Sequence, residues 1–263
     1  MNDTTNLFAD GEAYEVLMGR WSRLVGDQFI DWLDVPKGLR WLDVGCGNGA
    51  FTERLINRCA PAEVIGIDPS QEQLAYAVAR SGTKVAKFQR GNAQDLSFGD
   101  GSFDVAVMAL VLSFLGDPAK AIAEMARVVR PGGWVATYMW DVPGGGLPHA
   151  PFHAAMKSLG ISLPIPPGSA NSQRDAMLAL WQKAGLKSIE MTVIRIHTSY
   201  ANFDEFWNAS TVSVGPLSKA IHEMSAGMRE QLRSRLRQQL STSADGAVSY
   251  EAFVNAAKGR RSD

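Results

Sequence analysis

Trp41-Leu42-Asp43-Val44-Gly45-Cys46-Gly47-Asn48-Gly49-Ala50-Phe51 is the stretch that decides the architecture of this chain. An apolar run closes around a carboxylate, three glycines follow at every second position, and a helix-compatible segment continues to residue 58. The pattern reads as a strand, a tight turn and a helix N-terminus. Glycine takes φ > 0 without steric cost and lets a ligand lie against the backbone. The helix start adds unpaired N–H groups that favour an acceptor-rich ligand. Nineteen residues past Gly49, the apolar run 64–67 ends at Asp68. A carboxylate there, at the tip of the next strand, can accept both hydroxyls of a ribose. These spacings favour a nucleoside-containing cofactor.

Outward from this segment, strand and helix patterns alternate. Strands are predicted at 40–44, 63–67, 84–89, 103–110 and 134–140, with helices at 50–59, 71–79 and 118–129. Ser70 and Asp117 are placed to cap the second and third helices, and Pro118 suits a first helical position. The run 103–110 alternates little, as expected of a strand covered on both faces. Pro131-Gly132-Gly133 reads as a turn. Such alternation implies a parallel sheet with right-handed crossovers. From 141 to 172 the chain turns Gly- and Pro-rich and reads as a long irregular segment. A helix at 173–184 and a strand at 187–196 follow, then helices between 202 and 240, and a last strand near 248–257. Pairing of the final two strands makes a long-range antiparallel hairpin around a helical insertion.

At 263 residues the chain can bury a large core, and 46% hydrophobic with 20% charged residues suits a globular domain. A net charge of −1 argues against a nucleic-acid partner held by bulk positive charge. No apolar stretch reaches about 18 residues, so neither a spanning helix nor a membrane partner is expected. Residues 1–12 are polar and acidic, without a signal-peptide pattern, and the two cysteines, Cys46 and Cys59, read as cytosolic thiols, which together point to the cytoplasm. No metal-ligand spacing is present.

Five ordered blocks resemble the class I S-adenosylmethionine-dependent methyltransferases, in the branch of the small-molecule methyltransferase domain. They are the loop 42–49, Gly66-Ile67-Asp68-Pro69-Ser70, Gly91-Asn92-Ala93-Gln94-Asp95-Leu96, Gly101-Ser102-Phe103-Asp104-Val105 and the run 124–133 that ends in Arg130-Pro131-Gly132-Gly133. The resemblance implies an α/β fold: a Rossmann-like, doubly wound, seven-stranded, mostly parallel sheet with one antiparallel strand and helical cap insertions. It implies one domain over 1–263, with an N-terminal helical lid at 1–37, a cofactor-binding core at 38–141, and substrate-cap insertions at 142–172 and 199–246. The implied cofactor is S-adenosyl-L-methionine, released as S-adenosyl-L-homocysteine, and the implied partner a small-molecule methyl acceptor. Asp43 with Gly45, Cys46, Gly47, Asn48 and Gly49 would hold the methionine end. Asp68 would hold the ribose, Ile67 and Pro69 would flank the adenine or ribose, Asn92 and Ala93 would meet the adenine edge with Gln94 nearby, and Leu110 would cover the cofactor. Many relatives carry aspartate where this chain has Asn92, whose carbonyl can still accept from an amino group. Tyr14, Met18, Arg20 and Trp21 admit two readings, a lid over the cofactor or an amphipathic helix packed on the core.

Two other functions fit parts of the pattern. Gly45, Gly47 and Ala50 match the relaxed G-x-G-x-x-A form of a dinucleotide site, hence an NAD(P)-dependent oxidoreductase. A catalytically silent S-adenosylmethionine-binding sensor or partner protein would also keep the loop. Blocks 91–96 and 127–133 favour the methyltransferase. Methyl transfer from a sulfonium needs alignment and exclusion of water more than a catalytic signature. Residues 109–112 are Ala-Leu-Val-Leu, not the Asn/Asp-Pro-Pro-Tyr of amino-methylation on bases, and oxygen, nitrogen and carbon nucleophiles all stay open. His149 and His153, four apart, are candidate bases if helical, although Pro151 speaks against a regular helix there. Asp141, a catalytic candidate beside the two histidines, and Trp140, a candidate for the substrate pocket, end a strand whose tip should face the ligand crevice, or else they cap and pack. Phe203 and Trp207 stand at helical spacing, as core of the insertion or wall of the substrate pocket.

Overall fold

The computed structural model describes residues 11–211 and 216–262, and the side chains from 21 onward apart from Pro216. The chain runs α1 (Gly11–Leu33), β1 (Arg40–Val44), α2 (Ala50–Cys59), β2 (Glu63–Asp68), α3 (Gln71–Ala79), β3 (Lys87–Arg90), β4 (Phe103–Ala109), α4 (Pro118–Val128) and β5 (Val129–Trp140). It continues with α5 (Ala150–Ser158), α6 (Arg174–Lys183), β6 (Lys187–Tyr200), α7 (Phe203–Thr211), α8 (Pro216–Glu223), α9 (Ala226–Gln239) and β7 (Val248–Arg260). The seven strands form one sheet in the order β3-β2-β1-β4-β5-β7-β6. Only β7 runs antiparallel to its neighbours, so the expected mixed, doubly wound sheet is what the chain forms. The strand order reverses between β1 and β4, which sets a crevice at their carboxyl ends.

Helices cover both faces. On one, α4 and α6 pack through Ile122, Met125, Met177 and Trp181 against Leu42, Ala106 and Met108. On the other, α1 and α2 pack through Trp21, Val25, Phe29 and Leu55 against Trp41, Val105 and Val107. β4 explains its own sequence: Val105 and Val107 face one layer, Ala106 and Met108 the other, so nothing polar fits between them. Ser70 and Asp117 cap α3 and α4 through the N–H groups of Gln73 and Lys120.

Several boundaries differ from the sequence expectation. β3 starts at Lys87 because residues 81–83 close a 3-10 turn first. The Pro131-Gly132-Gly133 turn is an irregularity inside β5: Phe103 pairs with Val129 and Val105 with Trp134, while Gly132 takes φ +71°. β6 and β7 run to Tyr200 and Arg260, longer than predicted, because they pair along nearly their whole length. Segment 141–172 is not irregular throughout. It contains α5, and Pro151 does not prevent it, since it falls in the first turn where the missing N–H has no partner to lose.

Between β6 and β7, helices α7–α9 join α5 around a separate core of Phe152, Met156, Phe206, Trp207, Leu232 and Leu236. Arg233 and Arg237 from α9 clasp Asp204 and lie over the Phe203 ring at 6.0 and 4.6 Å. Among the described residues no helix is long and apolar enough to cross a membrane.

Candidate active site

The glycine loop leaves β1 and is pinned at once to β2. The N–H groups of Gly45 and Cys46 both donate to the Ile67 carbonyl, at 2.8 and 2.9 Å. Gly45, Gly47 and Gly49 take φ of +75°, +52° and +77°, a run that L side chains resist. At Gly45 space forbids a side chain as well, because a Cβ would stand 2.5 Å from Val111 Cγ2. The loop thus presents bare backbone at the crevice and delivers the chain into α2.

Two carboxylates flank this backbone. Asp68, at the end of β2, accepts from Gly47 N and Ser70 N, both at 2.9 Å. Burial raises its pKa, against the lowering by those two N–H groups. Asp43 is wholly buried, and its Oδ2 accepts from Thr52 Oγ1 at 2.6 Å. Its Oδ1 is buried with no hydrogen-bond partner among the described residues. Burial pushes its pKa up to about 7; the Thr52 hydroxyl pulls it down and the Asp68 charge adds to the rise. Two acids held above their ordinary range make a place that gains by receiving positive charge or donors. The same burial and charges push the Cys46 thiol up, so this loop cysteine is an unreactive one.

The remaining predicted cofactor residues gather along the same edge. Gly91 N donates to the Asp68 carbonyl at 3.1 Å, which lays 91–94 beside the tip of β2. Asn92 Oδ1 accepts from Gln94 N at 2.9 Å, keeping a second lone pair for a ligand, and Ala93 is buried beneath. Gln94 Oε1 accepts from Asp117 N, which ties the segment to the start of α4. Pro69 is exposed. Leu110 holds φ +61°, a strained value for leucine, with its N–H donating to the Tyr138 carbonyl at 2.9 Å. The next residue is the Val111 that meets Gly45. Asp43, the loop 45–49, Asp68 and Leu110 therefore converge at the switch point of the sheet.

The residues expected on the acceptor side are more dispersed. Asp141 Oδ1 accepts from Gly144 N at 2.8 Å and Oδ2 from Asn255 Nδ2 at 3.0 Å. Asn255 also donates to the Ser172 carbonyl at 2.8 Å, so Asp141 serves as a joint between β5, β7 and the 169–172 turn. Trp140 is buried on the α1 face of the sheet. Trp21 lies on that face too, its ring 6.1 Å from Tyr250. Residues 21–33 of α1 follow the core-packing reading, held to α2 by Arg54–Asp27 and Arg58–Asp31. The side chains of Tyr14, Met18 and Arg20 lie outside the described residues, as do positions 1–10 and 212–215 of the lid and insertion expected there. Phe203 and Trp207 belong to the separate helical core. His149 precedes α5 and His153 lies one turn on, its N–H donating to the His149 carbonyl at 3.2 Å. Both ring nitrogens of His149 are buried without a partner among the described residues; burial, then His153, lower its pKa to about 4. Burial lowers that of His153 as well.

Sequence reasoning missed Thr52 and Asn255. Asn255 stands alone as a polar residue in Phe253-Val254-Asn255-Ala256-Ala257, and a lone amide in an apolar strand is itself a signal of a built hydrogen bond. Thr52, in the first turn after the loop, carried no comparable mark.

A profile described as a methyltransferase domain matches residues 42–137. The chain is 35% identical over 190 residues to the O-methyltransferase cnsE of Penicillium expansum, covering 70% of this chain and 63% of cnsE. It is 32% identical over 188 residues to the O-methyltransferase rstn1 of Aspergillus nomiae, covering 70% of this chain and 78% of rstn1. It spans only 31% of a 37.1 kDa protein of a Streptomyces fradiae transposon. In three dimensions it resembles phosphoethanolamine N-methyltransferase 2 of Haemonchus contortus, solved with S-adenosyl-L-methionine. The TM-score is 0.58 at 18% identity, over 100% of this chain and 59% of that one, a likeness of fold.

Proposed function

The chain belongs to the S-adenosylmethionine-dependent methyltransferases, and from that premise we propose that it moves the cofactor's methyl group to an oxygen of a small-molecule acceptor. The observation that carries the cofactor half is the Asp43 carboxylate, buried with one oxygen unpartnered among the described residues, beside a loop whose Gly45 leaves no room for a side chain. That donor set fits the cofactor. Asp43 Oδ1 would accept from the amino group of its methionine end, and Asp68, with lone pairs left beyond its two backbone N–H groups, would accept from the ribose. When bound, the cofactor supplies an activated methyl on a cationic sulfur. The protein would supply alignment, exclusion of water and the two carboxylates that flank the loop, Asp43 and Asp68. Oxygen as the nucleophile is drawn from the O-methyltransferase relatives. A cytoplasmic location is part of this proposal, supported by the two cysteines being free thiols.

Calorimetric titration of the full chain with S-adenosylhomocysteine, and separately with NADH, tests the reading. Binding of the first alone is expected, and Asp68→Ala should weaken it at least about 100-fold, equal to about 2.7 kcal/mol. NADH binding alone, or an indifferent Asp68→Ala, would overturn the cofactor assignment. Incubation with S-adenosylmethionine and a cell extract should then release S-adenosylhomocysteine; its absence would leave a binding protein without transfer activity.

A further inference from the structure

Thr52 is the third residue of α2 and is fully buried. A threonine inside a helix ordinarily satisfies its hydroxyl by donating back to the carbonyl three or four residues earlier. Thr52 does not. Both of those carbonyls already have donors: Asn48 O accepts from Arg80 Nε at 3.1 Å, and Gly49 O accepts from Glu53 N at 2.9 Å. The Thr52 hydroxyl crosses instead to β1 and donates to Asp43 Oδ2 at 2.6 Å.

This bond has a direction. A hydroxyl carries one hydrogen, and it donates most strongly to an ionised carboxylate. It engages one oxygen of Asp43 and leaves the other, Oδ1, buried with no partner among the described residues. Among those residues no other donor reaches Asp43. Its register partners across the sheet, Gly66 of β2 and Val107 of β4, have no polar side chain. The titratable groups that bear on it are Asp68 at the tip of β2, which repels a second negative charge, and the Cys46 thiol of the loop, itself pushed up. The nearby cations are spoken for: Arg80 pairs with Glu53 of α2 at 2.9 Å, and Arg54 of α2 with Asp27 of α1 at 2.6 Å. Burial and Asp68 both favour the protonated acid, and the Thr52 hydroxyl is what opposes them.

We propose that Thr52 is a positioning residue for the cofactor: by holding Oδ2 it fixes the rotation of the Asp43 carboxylate and leaves Oδ1 as the acceptor for the amino group of the methionine end. Thr52 acts only through Asp43. Without its hydroxyl both carboxylate oxygens would be buried and unpaired, and the acid would take a proton, which removes the charge that an ammonium group needs. The inference rests on the methyltransferase reading for the identity of the ligand.

Calorimetric titration with S-adenosylhomocysteine across the neutral pH range, on the full chain, Thr52→Val and Thr52→Ser, tests it. The ligand's own titration is common to all three, and Asp68 keeps its bonds to Gly47 N and Ser70 N in each. In the parent, affinity should fall as pH drops through the Asp43 midpoint, because the amino group favours the ionised acid. Thr52→Val keeps the shape and loses the donor. It should move that midpoint up by at least about one pH unit, which weakens binding about tenfold on the acid side. Thr52→Ser keeps the hydroxyl and should hold affinity within about twofold of the parent at every pH. A threonine that merely packed the helix would give the reverse order, with serine impaired by its lost methyl group and valine level. Should Thr52→Val bind too weakly to titrate, carboxyl-carbon NMR of the ligand-free chain reads the same midpoint, the Asp43 signal being identified by its loss in Asp43→Asn. An unmoved midpoint in Thr52→Val, or a Thr52→Ser as impaired as Thr52→Val, would overturn the role of Thr52 and leave Asp43 standing as a ligand. A parent chain that binds no S-adenosylhomocysteine would strike the methyltransferase reading, and the positioning role with it.

Discussion

The glycine crevice and the helical insertion solve opposite problems. The crevice is made by backbone: three positive φ values, a carbonyl that receives two N–H groups, and two carboxylates. The insertion is made by side chains: Phe152, Phe206 and Trp207 pack with ring centroids 5.3 and 5.9 Å apart, closed by arginines over aromatic faces. A backbone-built site tolerates almost no change at its glycines. A packed insertion can exchange one apolar set for another at modest cost, so it is where specificity can drift. The two regions should therefore fail differently.

The largest effect on cofactor binding is expected at Gly45. Gly45→Val puts a β-branched residue at φ +75° and a Cβ 2.5 Å from Val111 Cγ2. S-adenosylhomocysteine affinity, read by calorimetry, should fall at least about 100-fold. Retained affinity would mean that the loop moves without consequence and that the crevice is not backbone-built.

Phe206→Ala is the counterpart in the insertion. The ring is fully buried among Phe152, Tyr200 and Tyr250, and its removal should cost about 3–5 kcal/mol. Hydrogen exchange should show the loss in α5 and α7–α9, with S-adenosylhomocysteine affinity within about threefold of the parent. Equal loss of protection in β1 and β2 would show one cooperative unit instead of two.

This contrast also explains what could be read from the sequence. The crevice was legible because backbone demands leave few residue choices: glycines at positive φ, a carboxylate at a strand tip, serine and aspartate as caps. Arg127 was legible only as a member of the resembling run 124–133, and the structure shows its use, gathering Glu124, Asp100 and the carbonyls of Leu96 and Phe98. The insertion was not legible beyond its helices. Aromatic residues at helical spacing serve a core and a pocket wall alike, so Phe203 and Trp207 could not be divided between them. The helix at α5 was obscured by Pro151, which breaks helices at most positions but not in the first turn. Atoms such as Thr198 Oγ1, buried with no hydrogen-bond partner among the described residues, have no sequence signature, since pairing is a property of neighbours far along the chain.

Asp43 sharpens the comparison through pH. Its pKa is about 7 in the fold and near the ordinary value of about 4 when unfolded. Between those limits the folded chain holds a proton the unfolded chain has lost, so stability falls as pH rises from about 4 to about 7, by up to about 1.4 kcal/mol per unit, and is flat outside. The lowered His149 and His153 act the other way below their ordinary value, so the difference between parent and Asp43→Asn isolates the carboxylate. That difference should slope across the window without ligand and flatten with saturating S-adenosylhomocysteine, whose amino group favours the ionised acid. Parallel curves would show that Asp43 titrates normally and that the crevice is not starved of positive charge.

The smallest effect is expected where the two regions meet. Asn255 donates to Asp141 Oδ2 and to the Ser172 carbonyl, joining the sheet to the turn that leads into α6. Asn255→Ala removes both bonds but leaves Asp141 its Gly144 partner, so the loss should be about 1–2 kcal/mol in thermal or urea unfolding. S-adenosylhomocysteine affinity should stay level, because neither bond involves the glycine loop. A matching fall in S-adenosylhomocysteine affinity would mean that strain at this joint reaches the glycine loop, through Trp140, Tyr138 and Leu110. Crevice and insertion would then be one mechanical unit built in two styles.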